Sequence, residues 1–131
     1  MKVAAAVAHE ESSAAAATHL VERLDNGAPY FLVIFGKPDS QGMVVAVDAL
    51  NGAILSSAKL ERVKIPWLLE KGEAIKLAEE AQPLAARLVW APSRASLSPF
   101  YPLWELTGGS WRVYVDHSGK LWRDLPPAGP G

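Results

Sequence analysis

The tightest constraint on this chain is a phrase it uses twice. Val45-Ala46-Val47-Asp48-Ala49-Leu50-Asn51-Gly52 returns in the second half as Val113-Tyr114-Val115-Asp116-His117-Ser118-Gly119. Apolar β-formers leading into an aspartate mark an extended strand. An aspartate at that point binds backbone N–H groups two residues on, and a glycine beyond it takes positive φ. Both phrases therefore read as a strand ending in a tight corner, with no catalysis needed to explain the letters. A chain of 131 residues with two such corners fits one domain, or two half-sized units sharing a core.

Half of the residues are hydrophobic and 21% are charged, enough apolar content to bury a core. The 13 Lys and Arg are scattered and balanced by 14 acids, leaving a net charge of −1. That distribution offers no electrostatic footprint for nucleic acid and no polybasic membrane patch. The absence of cysteine removes disulfides, thiolate metal sites and a cysteine nucleophile. No apolar stretch reaches the roughly 20 residues of a membrane span. At the start, the apolar run from Val3 to Ala8 is shorter than the core of a secretory signal. A soluble chain is expected, cytoplasmic on that ground and extracytoplasmic if a leader has been removed.

Periodicity assigns the elements. In "SSAAAATHLVERLDNG", Ala17, Leu20, Val21 and Leu24 fall at i, i+3, i+4 and i+7. The spacing predicts a helix capped by Ser12 or Ser13 and stopped at Asn26-Gly27, with Glu10 and Glu11 near its positive end. "PYFLVIFG" reads as a strand buried on both faces. "MVVAVD" and "AILSSAKL" follow as strands. Ala74, Leu77, Ala78 and Ala81 repeat the helical stripe, which predicts a second helix over 73–82 closed by Pro83. Pro66 is suited to open an earlier turn, with Gly72 as a break. "ARLVWAP" is a strand, and "YPLWELT", "GG" and "SWRVYVD" form a hairpin. A two-residue Gly108-Gly109 loop would set Leu106 against Trp111 and Glu105 against Arg112 as a cross-strand ion pair. A short strand "KLWRDL" ends the sheet, and the tail 126–131 is expected to be disordered.

The residues "EAIKLAEEA" followed by "YPLWELTGGSWRVYVDHSGKLW" resemble the PepSY domain, a module of metallopeptidase propeptides and bacterial envelope proteins. Trp104-Glu105-Leu106, Tyr114-Val115-Asp116 and Ser118-Gly119 stand where that family carries its "WEV" and "YEVYVDAxTGEV" patterns. The likeness covers residues 73–123. Residues 12–58 share less of it, keeping Val47-Asp48 and Asn51-Gly52 but lacking Trp-Glu. The resemblance implies a helix packed on an antiparallel sheet, similar to a cystatin-like half, and an inhibitory or binding module without catalytic residues.

The chemistry on offer is sparse. Asp48 and Asp116 read as turn residues before they read as an acid–base pair. His9, His19 and His117 have no metal-ligand spacing, and His117 beside Asp116 is a turn neighbour rather than a dyad. No phosphate loop, dinucleotide fingerprint or nucleophile elbow is present. The five tryptophans, Trp67, Trp90, Trp104, Trp111 and Trp122, are many for this length. They serve packing first and a partner surface second. The segment 90–102 is a long polar loop rich in proline, and loops of that length in compact domains often bind.

The expected fold is α+β: two tandem helix-plus-antiparallel-meander units, 1–62 and 63–125, with helices on one face of antiparallel sheet. The expected function is a non-enzymatic protein-binding or inhibitory module without cofactor or metal. Its contact residues are Trp90, Arg94, Phe100, Tyr101 and Trp122. Its partner is another protein or a second copy, the latter through a free sheet edge. The alternative is a small-ligand or enzymatic domain with a pocket between curved sheet and helices, lined by inward-pointing ionisable groups.

Overall fold

The computed structural model describes residues 15–78 and 82–126. By its internal contacts the chain divides into two compact units, Met1–Trp67 and Leu68–Gly131.

The first unit holds strands β1 (Ala15–Arg23), β2 (Tyr30–Gly36), β3 (Gly42–Asp48) and β4 (Ile54–Leu60). They form an antiparallel meander in the order β4-β3-β2-β1. The helix expected over 12–27 is overturned across its described part. Val21 is fully buried while Leu20 beside it is 49% exposed, and the alternation runs along β1 with the period of a strand. Ala17, Leu20, Val21 and Leu24 satisfy a helical spacing by count, but β-branched Thr18 and Val21 fit a pleated surface better. Asn26-Gly27 closes no helix. Asn26 takes φ 66° in the connection that turns β1 back into β2, the role an Asn-Gly pair plays in hairpins. The residues expected to cap that helix and the loosely ordered start, 1–11, lie outside the described residues.

The apolar run Tyr30–Gly36 is indeed buried on both faces and lies between β1 and β3. Val33, Phe35, Val45 and Val47 make one apolar cluster, with Phe31 and Met43 against it. Tyr30, Leu32, Ile34, Val44 and Ala46 point the other way and are equally hidden. Each of the valine, leucine, isoleucine and phenylalanine side chains among them stabilises the fold by about 1.5–3 kcal/mol through removal from water.

The second unit opens on a helix, α1 (Lys71–Ala78), and continues through β5 (Ala85–Trp90), β6 (Leu103–Thr107), β7 (Arg112–Val115) and β8 (Leu121–Trp122). These strands form a second antiparallel meander, β5-β6-β7-β8. Gly72 lies inside α1 rather than breaking it, and Pro66 opens no helical turn. Ala74 and Ala78 bury against Leu106, Val113 and Val115, with Trp104, Trp111 and Leu121 around them. Leu77, placed on the apolar stripe by its spacing, is 40% exposed, and Ala81 lies outside the described residues. Trp104 donates its indole N–H to the Leu69 carbonyl at 2.7 Å, tying β6 to the segment that leads into the helix.

The β6–β7 hairpin is two residues out of its expected register. Leu106 faces Val113 and Glu105 faces Tyr114. A shift of two keeps every side chain on its expected face, so the burial pattern is preserved while the partners change. Gly108 N–H bonds the Trp111 carbonyl at 2.8 Å, and a side-chain carbon on Gly108 would overlap the Trp111 indole. Trp111 needs that bare backbone beside it, which draws the turn one residue later than Gly108-Gly109. Glu105 accordingly pairs with Arg87 across β5, not with Arg112.

The α+β expectation of two helix-plus-meander units is therefore wrong for this chain. The fold is sheet-dominated, and among the described residues one helix stands beside eight strands. The tail beyond Pro126 lies outside the described residues.

Candidate functional site

Both aspartate corners follow the third strand of their unit. Asp48 ends β3, and its Oδ1 accepts the amides of Leu50 at 2.7 Å and Asn51 at 3.1 Å. Asp116 follows β7, and its Oδ1 accepts the Ser118 amide at 2.9 Å, the Ser118 hydroxyl at 2.6 Å and the Lys120 amide at 3.0 Å. In each corner the glycine N–H returns to the aspartate carbonyl at 2.9 Å, from Gly52 and from Gly119. Both glycines have positive φ, 76° and 91°, as the corner requires.

The corners differ in one respect. Asp116 is 6% exposed, and its Oδ2 accepts the Trp122 indole N–H at 2.9 Å. Burial alone would push this carboxyl up. The Ser118 hydroxyl, the Trp122 indole and the amides of Lys120 and Ser118 outweigh it, and the group sits below the ordinary carboxylate value. Three of the four donors converge on Oδ1 and one reaches Oδ2, so both oxygens of the ionised carboxylate are engaged. Asp116 is thus occupied by the turn and by β8.

Two aromatic contacts surround this corner. The Tyr101 ring lies 4.3 Å, centroid to centroid, from the His117 imidazole at an interplanar angle of 30°. The Lys120 ammonium sits 4.3 Å above the Trp122 ring centre, a cation–π contact. The loop before β6 is stitched from within. Ser96 Oγ accepts the Trp90 indole N–H at 3.3 Å and reaches the Tyr101 carbonyl at 2.6 Å. The Arg94 amide donates to the Pro126 carbonyl at 2.9 Å, which fastens the loop to the segment after β8.

The expected contact residues divide accordingly. Tyr101 and Trp122 meet at the Asp116 corner through His117 and Lys120, and both are half-buried. Arg94 is exposed on the loop, and Phe100 is half-buried in it. Trp90 is buried at 5% exposure, so it packs the loop and presents no surface. None of the other four tryptophans falls among the exposed residues either. Sequence reasoning left out His117 and Lys120 as members of this surface. The signal was the Lys-x-Trp spacing at 120 and 122, which brings the Lys120 ammonium over the Trp122 ring as the chain enters β8.

A second polar feature crosses the sheet behind the helix. Arg87, Glu105, Tyr114 and Trp122 stand opposite one another on β5, β6, β7 and β8. Arg87 Nε donates to Glu105 Oε1 at 2.8 Å, with Glu105 itself 5% exposed. Burial first, and the Glu105 charge second, hold the Tyr114 hydroxyl above its ordinary value.

Among the described residues no group of three His, Cys, Asp or Glu could hold a metal ion. His19 stands on β1, and burial pushes its imidazole down; His9 lies outside the described residues. One open groove runs past Gln41–Met43 and Lys59–Glu61 at the end of the β3–β4 pair, and another skirts the β6–β7 turn. No helix of the described residues is long and apolar enough to cross a membrane. No protein-family model, curated protein or solved structure matches the chain.

Proposed function

We propose that the chain is a non-enzymatic protein-binding module, and that its second unit is the PepSY-like part. The reading is supported by the order of that unit, a helix followed by an antiparallel meander. The motif residues also fall in register with it: Trp104-Glu105-Leu106 on β6, and Tyr114-Val115-Asp116 running from β7 into the corner. The observation that carries the non-enzymatic half is the Asp116 carboxylate, both of whose oxygens are engaged, Oδ1 by its own turn and Oδ2 by Trp122. A general base needs an oxygen that a substrate proton can reach, and this carboxylate is 6% exposed with both oxygens engaged. The contact surface is the corner itself, with Tyr101, His117, Lys120 and Trp122.

A photo-crosslinking amino acid tests the reading. Benzoylphenylalanine in place of His117 keeps an aromatic ring beside Tyr101, and the same residue in place of Lys59 on β4 is the control. In cells that produce the chain, irradiation is expected to give a discrete product with another protein from position 117 and not from position 59. Catalytic turnover abolished by Asp116→Asn in a still-folded chain would contradict the proposal.

A further inference from the structure

The corner surface has a sign. Residues 116–126 hold Lys120 and Arg123 against Asp116 and Asp124, and Arg94 is fastened beside them by the hydrogen bond from its amide to the Pro126 carbonyl. The Asp116 carboxylate is buried and hydrogen-bonded by its corner, so on the exposed side Arg94, Lys120 and Arg123 outnumber the one acid, Asp124. Among the described residues, the side chains of Arg94, His117 and Lys120 have no acidic partner. All three are exposed. The Lys120 ammonium lies over the face of the Trp122 ring. The two segments that bear Arg94 and Lys120 are held by their own hydrogen bonds. The loop is held by Ser96 and Trp90, and the turn by Asp116 and the positive-φ Gly119. A backbone already held in this way loses little freedom when an anion docks.

We infer that this surface receives an acidic segment of the partner protein. Carboxylates of that segment would lie against Arg94 and Lys120, with Tyr101 and Trp122 as the apolar floor. The inference rests on the protein-binding reading above and adds the chemistry of the partner to it. Complementary charge of this kind governs register and association rate, so the contact should be sensitive to salt.

A fluorescein-labelled hexaglutamate peptide is the probe, followed by anisotropy with the full chain. Saturable binding is expected at low ionic strength and should vanish near about 0.5 M salt. The double reversal Arg94→Glu with Lys120→Glu should weaken binding by about tenfold or more, since two attractions become repulsions. Reversal of Lys71 and Lys76 on α1 should leave it unchanged. Circular dichroism reports whether the double variant folds, and the two single reversals serve if it does not. Absence of binding overturns the inference, as does equal loss from the α1 reversal. A position-117 crosslink to a protein whose contact peptide lacks acidic residues would also overturn it, while leaving the protein-binding reading intact.

Discussion

Trp122 donates its indole N–H to Asp116 Oδ2 at 2.9 Å, and this bond ties the two-residue strand β8 to the corner that precedes it. A strand so short has little sheet pairing of its own, only Tyr114 opposite Trp122 and Val115 opposite Leu121. The carboxylate therefore organises both the turn and the last strand. The corner at Asp48 binds two amides and no side chain.

That asymmetry sets the stability of the two corners apart. Asp116→Ala removes the shared acceptor of the Ser118 and Lys120 amides and the Trp122 indole in a part-buried place, at a cost of about 1–3 kcal/mol. Asp48→Ala leaves two amides near solvent and should cost about 0.5–1.5 kcal/mol. Urea unfolding of the two variants, followed by tryptophan fluorescence, checks the order.

Acid should loosen the second corner. The Asp116 carboxyl is held below its unfolded value, so its contribution is fully present above about pH 4 and is lost as pH falls through the lower folded-state value. The stability gap between the natural chain and Asp116→Asn should therefore shrink steadily below about pH 4. Denaturant titrations of both proteins across that range measure it.

β1 yields a direct contrast between neighbouring residues. Val21 is fully buried and Leu20 is half exposed. Val21→Lys places an unpaired charge in the core and should cost about 3 kcal/mol or more, while Leu20→Lys should stay within about 1 kcal/mol. A helix over the same residues would put both on its apolar stripe and penalise both, so equal losses in thermal unfolding would contradict the strand.

Much of the sheet was legible in the residues. Tyr30–Gly36 is apolar throughout because neighbouring strands and both faces enclose it, and the two Asp–Gly corners announce turns that do form. β1 was not legible, because Ala17, Leu20, Val21 and Leu24 fit a period of 3.6 by count while their burial follows a period of two. The Asn26-Gly27 pair was the discriminating signal, since it ends helices and closes hairpins alike. The hairpin partners were misplaced because alternation fixes the face of a residue but not a slip of two, and only the fit of Trp111 over Gly108 decides the register. At the candidate site, the tryptophans read as packing first and surface second, yet Trp90 was expected among the contact residues and is buried. The Ser96 hydroxyl that buries the Trp90 N–H lies in an irregular loop without any period to read.

The Glu105 ion pair offers a test of that register. Arg87 is half exposed and Glu105 is buried, so removing Arg87 leaves a hidden carboxylate short of its donor. A double-mutant cycle on Arg87 and Glu105 should show a coupling of about 1 kcal/mol. The same cycle on Arg112 and Glu105 should show a smaller one.

The most direct measurement is a carbon-detected NMR titration of the Asp116 carboxyl, read together with the Trp122 indole proton. A carboxylate consumed by its own corner should titrate below the ordinary value of 3.8, and the indole proton should shift with the same midpoint. A midpoint raised toward neutrality, or an indole proton indifferent to it, would mean that Asp116 is free to act as an acid or base, and would contradict the account.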